Sequence, residues 1–160
     1  MIMEFTMKQK PGNGFTLIEV VVVVGIIAII AAFAYPGYKS QVNKTRRSDA
    51  HAALTTKVAL QERWFTQSNS YTNNMSNLGG TGSGEGYYAT SVTIPATAQC
   101  TVTRTGLPTL FYCYTLTALA AGVQYDNDDE CRTLSIDHTG KKTSTDSGGT
   151  LRDPDNGVCW

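Results

Sequence analysis

Three patterns of apolar and polar positions follow one another along the chain. From Phe15 to Tyr35 nearly every position is apolar, and the one carboxylate is Glu19. As a helix rising about 1.5 Å per residue this stretch spans roughly 30 Å, the thickness of a bilayer's hydrocarbon. Pro36 and Gly37 predict a kink or a local loss of helix. Beyond them Ala50, Ala53, Leu54, Val58, Leu60, Trp64 and Phe65 share one arc at about 100° per residue, so an amphipathic helix is expected over 36–66. Its apolar arc should lie on a sheet, leaving the N-terminal stretch as a spine.

The third pattern has period two. After a Ser, Asn, Thr and Gly-rich loop over 69–86, Tyr88, Thr90, Val92 and Ile94 alternate with polar neighbours. Phe111 to Leu119 is rich in aromatic and β-branched residues, and Cys131 to Asp137 alternates before the turn His138-Thr139-Gly140. Cys100 to Arg104 is a further strand candidate. Three or four antiparallel strands packed on the amphipathic helix make an α+β fold. Residues 141–160, with Gly148-Gly149 and Pro154-Asp155-Asn156-Gly157, read as a C-terminal loop tethered by Cys159. The segments are a leader 1–14, an apolar helix 15–35, an amphipathic helix 36–66 and a head 67–160.

Charge adds little. Thirteen basic residues balance thirteen acidic ones, so no imbalance points to nucleic acid. Lys39, Lys44, Arg46 and Arg47 form a local basic cluster, read first as a solvated helix face and second as a contact for anionic lipid head groups. DNA is the least favoured partner without being excluded, because sequence-independent binding needs many phosphate contacts.

The cysteines decide the compartment. Cys100, Cys113, Cys131 and Cys159 all lie in the C-terminal half, none in a C-x-x-C pair, and His51 and His138 lack zinc-ligand spacing. This favours disulfides over metal. Of the three possible pairings, Cys100–Cys113 with Cys131–Cys159 is preferred because the nearer pair brackets a candidate hairpin. Loop closure assigns these bonds about 3 and 3.6 kcal/mol. Disulfides imply an oxidising compartment, hence an N-in, C-out chain with its head outside the cytoplasm, although lysine and arginine counting around the apolar segment favours the reverse.

No serine, cysteine or histidine stands in a nucleophile motif, and no catalytic residue or cofactor is expected. The run Asp126 to Glu130 resembles the start of a calcium loop, but Cys131 occupies the place where an EF-hand needs glycine, so an acidic turn is the preferred reading.

Glu19 poses a question, since a charge in hydrocarbon costs about 2.5 kcal/mol or more near a helix centre and less near its end. The string Gly14-Phe15-Thr16-Leu17-Ile18-Glu19, after a leader bearing Lys8 and Lys10 and before a Val/Ile/Ala segment closed by Pro36, resembles the type III signal of type IV pilins and pseudopilins. That resemblance implies cleavage after Gly14 by a prepilin peptidase, N-methylation of Phe15, and pairing of Glu19 with the Phe15 amine of a neighbouring subunit. Ala34-Tyr35-Pro36-x-Tyr38, Arg46-Arg47-Ser48-Asp49-Ala50, Gln61-Glu62-Arg63-Trp64-Phe65, Cys131 to Lys142 and Cys159-Trp160 resemble the PilE-type minor pilins. Cys100 and Cys113 go beyond that family's usual single cysteine pair.

The resemblance implies the type IV pilin fold and a minor pilin, held in the inner membrane and then assembled into an extracellular pilus. It further implies a part in initiating assembly and in twitching motility and adhesion. Its partners would be other pilins, the prepilin peptidase, the inner-membrane assembly machinery and membrane lipid. A major pilin or type II secretion pseudopilin is the first alternative. A secreted binding domain, cleaved after Ala34 at Ala32-Phe33-Ala34, is the second.

Overall fold

A computed structural model describes residues 14–152 and 157–160. The expected leader, up to residue 13, and the expected turn at Pro154, Asp155 and Asn156 lie outside the described residues. The chain divides into two compact units, one ending at Lys39 and the other Ser40–Trp160.

The helix α1 runs over Leu17–Ser68. It is assigned as helix through position 36, so the expected loss of helix there does not occur. An interior proline costs about 3 kcal/mol through its missing N–H and its ring clash, a local penalty that the long helical runs on both sides absorb. In the first unit the Val and Ile side chains from Val20 to Ile30 are about half exposed or more.

In the second unit α1 turns one stripe inward: Asn43, Arg47, Ala50, Leu54, Lys57 and Gln61, all buried, at alternating steps of four and three. Only Ala50 and Leu54 of that stripe are apolar, while Val58 and Leu60 pack beside them half-buried. The stripe faces a five-stranded antiparallel sheet of order β1-β4-β5-β6-β7. Its strands are β1 (Tyr88–Thr93), β4 (Thr115–Ala120), β5 (Thr133–Asp137), β6 (Lys142–Thr145) and β7 (Leu151–Arg152). A separate hairpin joins β2 (Thr101–Val102) to β3 (Leu110–Phe111), and a short helix α2 (Val123–Asn127) follows β4. Tyr88, Leu116, Ala118, Ala120 and Leu134 point inward and form the core with Ala50, Leu54, Leu78 and Tyr114.

The stretch Phe111 to Leu119 is two strands, broken at Tyr112-Cys113-Tyr114. Residues 141–152 are not a plain loop, because they supply β6 and β7. Lys142-Thr-Ser-Thr has no apolar alternation to reveal it, and its strand form comes from antiparallel pairing with β5, Leu134 opposite Ser144 and Ser135 opposite Thr143. Tertiary pairing overrides local propensity here.

Most of the sheet's outward positions are hydroxylated on four adjacent strands: Ser91 and Thr93 on β1, Thr115 and Thr117 on β4, Thr133 and Ser135 on β5, Thr143 and Thr145 on β6, with Ala89, Leu119 and Asp137 as the exceptions. All are exposed or half-buried, and they alternate with the inward core residues as a period of two requires.

The loop between α1 and β1 is tied back to the helix. Asp49 accepts hydrogen bonds from the Ser83 hydroxyl, the Glu85 N–H at 3.0 Å and the Tyr87 N–H at 3.3 Å. Gln61 pairs with Thr72 through both ends of its amide, donating to the carbonyl at 2.8 Å and accepting from the N–H at 3.0 Å. Lys57 Nζ donates to the carbonyl of Leu78, the last residue of a 3-10 turn, at 3.3 Å. Desolvation by burial lowers the Lys57 pKa.

Candidate functional site

Two places hold the residues that the sequence marks, one in each unit. In the first, Gly14, Phe15 and Thr16 precede α1. The Thr16 Oγ1 accepts the Glu19 N–H at 3.3 Å, which makes Thr16 an N-cap and puts Glu19 in the first turn, where a carboxylate is favoured by the unpaired N–H groups. Phe15, Glu19, Val20, Val23 and Val24 line one shallow groove along the helix. The peptide junction at Gly14-Phe15 thus lies just ahead of the helix, and the carboxylate sits in its first turn.

The second place is a buried polar knot on the helix stripe. Arg47 Nε donates to Asp128 Oδ2 at 2.7 Å and Nη2 to Asp128 Oδ1 at 2.6 Å, while Nη1 donates to the Val158 carbonyl at 2.6 Å. Asp128 also accepts from Gln124 Nε2 at 2.8 Å and from the Cys131 N–H at 3.2 Å. Burial works against the Arg47 charge, but the hydrogen bond and charge of Asp128 outweigh it and leave its pKa above the ordinary value. Burial also raises the Tyr88 phenol to about 12. Asn43 Nδ2 donates to the Asn127 carbonyl at 2.7 Å. Two members of the acidic run have structural partners: Asp128 pairs with Arg47 at 2.6 Å, and Asp129 with Arg132 at 2.7 Å. Among the described residues no cluster of three metal-ligating side chains forms.

The basic cluster is likewise not uniformly exposed. Lys39 and Lys44 are exposed, Arg46 lies over the Tyr87 ring at 4.9 Å, and Arg47 is buried. The clustering of charge does not separate Arg46 from Arg47. The stripe's four-three spacing, which puts Arg47 in register with Ala50 and Leu54, is the signal that does.

Cys100 is bonded to Cys113 and Cys131 to Cys159, with Cα atoms 4.8 and 5.5 Å apart. The first staples the β2–β3 hairpin. The second brings the C-terminal residues beside α1, where one ring nitrogen of His51 bonds the Cys159 carbonyl at 2.8 Å and its ring stacks on Trp160 at 4.9 Å. Lys142 Nζ lies 4.9 Å from the Trp160 ring, whose indole N–H donates to the Thr143 carbonyl at 3.0 Å.

Comparison with known proteins gives this arrangement its family. The prokaryotic N-terminal methylation motif matches residues 10–35. A family model described as type IV minor pilin ComP, DNA uptake sequence receptor, matches residues 36–135, more than half of the chain. The chain belongs to this family of type IV minor pilins. A wide-pilus major component, PilA4 of Thermus thermophilus, is 36% identical over 70 residues, 44% of this pilin and 53% of the relative. The major fimbrial protein FimA of Dichelobacter nodosus is 53% identical over 37 residues, 23% of each chain. The match thus spans about half the length of the Thermus relative and less of FimA. Among solved structures, a type IV pilin of Shewanella oneidensis aligns with TM-score 0.44 and 24% identity, over 62% of this pilin and 89% of that chain. The non-core minor pilin PilV of Neisseria meningitidis aligns with TM-score 0.49 and 14% identity, over 69% and 94%.

As a pilin this protein has the α+β pilin fold. The methylation motif and the apolar first half of α1 are consistent with membrane anchoring before assembly.

Proposed function

We propose that this protein is a minor pilin cut after Gly14, N-methylated at Phe15, held in the inner membrane with its head in the periplasm, and then drawn into a pilus that serves twitching motility and adhesion. It acts as a structural subunit rather than an enzyme and helps to start assembly. The observation that carries the reading is the Gly14-Phe15 junction placed immediately ahead of an N-capped apolar helix with Glu19 in its first turn. Cleavage there creates a positive amine at Phe15. In a low-dielectric bundle of parallel helices that amine attracts the Glu19 carboxylate of a neighbour far more strongly than it would in water. The prepilin peptidase and the inner-membrane assembly machinery are the partners this route requires, with membrane lipid around the helix.

Mass spectrometry of the protein from membranes tests the first step. The expected mature form starts at methylated Phe15, and a form starting at Tyr35 would replace the pilin route with secretion of a free head.

A second reading is DNA capture, favoured by the description of the matching family as a DNA uptake sequence receptor. The balanced charge and the withdrawal of Arg47 into the core leave it subordinate. A mobility shift with duplex DNA whose affinity falls steeply with salt would promote it.

A further inference from the structure

The outward face of the sheet has no part in the route above, and its chemistry is unusual for this chain. Ser91 stands opposite Thr117, Thr117 opposite Ser135, and Ser135 opposite Thr143, so one straight row of four hydroxyls crosses four strands. Adjacent strands are about 4.8 Å apart, which sets the step between hydroxyls, and the row is flanked by Thr93 and Thr115 on one side and by Ala89, Leu119 and Thr133 on the other. Within the row the Ser135 hydroxyl donates to Thr117 Oγ1 at 3.2 Å, while Ser91 and Thr143 have no side-chain hydrogen bond among the described residues. The face is also nearly free of charge. Its ionisable group, Asp137, has its Oδ1 occupied by the Thr139 hydroxyl and by the N–H groups of Thr139 at 2.8 Å and Lys141 at 3.0 Å.

Each hydroxyl is both donor and acceptor. An occupant that matches a charge-free row of such groups at a step of one sugar ring is itself an uncharged polyol. The sheet's right-handed twist, about 20 to 25° per strand, favours a flexible chain over a flat solid surface. We propose that this face binds a neutral polysaccharide laid across β1, β4, β5 and β6. Single hydroxyl contacts exchange protein–water for protein–sugar hydrogen bonds and leave little net affinity each. Useful adhesion therefore depends on many copies along a filament, and in that respect the proposal rests on the pilus reading.

The test displays full-length, detergent-solubilised protein at high density on beads, which supplies multivalency without a pilus. The probe is soluble hydroxyethyl cellulose, an uncharged β-glucan, and the readout is the amount retained. Wild type should retain it with little dependence on salt. The variant Thr117→Val/Ser135→Ala/Thr143→Val, which keeps side-chain shape, should retain about tenfold less. Ser91→Ala/Thr93→Val on the exposed edge strand should also lose retention, and decides the matter if the triple variant fails to fold by circular dichroism. No retention by wild type, retention unchanged in a folded variant, or binding that instead follows a polyanion such as heparin and collapses with salt would each overturn the proposal. Because the beads need no filament, failure here leaves processing and assembly untouched, and failure of pilus assembly leaves this result standing.

Discussion

Along α1, residues 17–35 carry a single charged side chain in an otherwise apolar stretch, whereas the stripe from Asn43 to Gln61 carries four polar groups among its six buried positions. Each of those four is met from elsewhere in the same chain, Asn43 for its Nδ2 alone: Asn43 by the Asn127 carbonyl, Arg47 by Asp128, Lys57 by the Leu78 carbonyl and Gln61 by Thr72. Among the described residues the Glu19 side chain has no hydrogen-bond partner, and its N–H is taken by Thr16. A polar group that leaves water needs a partner. The second half of the helix finds its partners by folding, and the proposed function has the first half find its partner by assembly.

The largest effects separate those two cases. Glu19→Val should leave cleavage and membrane level intact, because it removes a charge from an apolar segment. In the filament it strands a neighbour's Phe15 amine, at about 3 to 5 kcal/mol. The ratio of this protein in sheared pili to that in membranes should therefore fall, and an unchanged ratio would reduce Glu19 to a first-turn carboxylate. Arg47→Met should cost a similar 3 to 5 kcal/mol, read this time as lost stability of the head in thermal or urea unfolding, because Asp128 remains buried without its cation. Arg47→Met/Asp128→Leu should recover most of the loss. If the single variant instead unfolds like wild type, the knot contributes nothing to holding the head together.

Cys159→Ser comes next, at about 2 to 5 kcal/mol. It frees the C-terminal residues that Arg47 and His51 hold through the Val158 and Cys159 carbonyls, so limited proteolysis should remove the tail before it attacks the sheet. Equal proteolysis of both proteins would show that the hydrogen bonds alone hold the tail.

These stripe residues also show what could be read beforehand. The apolar helix, the period-two strands β1 and β5, and the placement of cysteines around a hairpin follow directly from residue type and spacing. The polar half of the buried stripe does not. Hydrophobic periodicity places Trp64 and Phe65 on the inward arc, yet both are half-buried, while Lys57 and Gln61 are buried more deeply. Their burial depends on loop carbonyls that are distant in sequence and come into place only in the folded head. β6 was hidden for the same reason, its outward threonines and inward Ser144 giving no alternation of hydrophobicity. Glu19 stood out because the segment around it is uniform.

Lys57→Met gives a smaller effect of opposite sign to Arg47→Met. Both residues are buried cations on one stripe, but Lys57 meets a neutral carbonyl and, among the described residues, no carboxylate. Replacing it removes a desolvated charge and strands no counter-ion, so the head should be unchanged or more stable by up to about 1 kcal/mol. A loss as large as that of Arg47→Met would mean that capping of the 3-10 turn by Lys57 outweighs its desolvation.

The smallest effect is a pH dependence at His51. Burial lowers its pKa, one ring nitrogen bonds the Cys159 carbonyl, and the charges facing it, Lys142 beside Trp160 and Arg47 one turn away on α1, add to the lowering. The unfolded chain holds its histidine near the ordinary value of about 6.5. As pH falls below that value the unfolded state takes up a proton that the folded state resists, so the contribution of His51 is fully present above about pH 6.5 and is lost as pH drops toward the lowered folded pKa. Carboxylates titrate near or below about pH 4, outside the upper part of this window. His51→Gln keeps a side-chain donor for the Cys159 carbonyl but does not titrate. The difference in melting temperature between wild type and His51→Gln should therefore shrink on going from pH 7.5 to 5.5 and level off below. A difference that stays constant across that range would mean that the Trp160 stack, and not the charge state of the ring, is what His51 contributes to holding the tail.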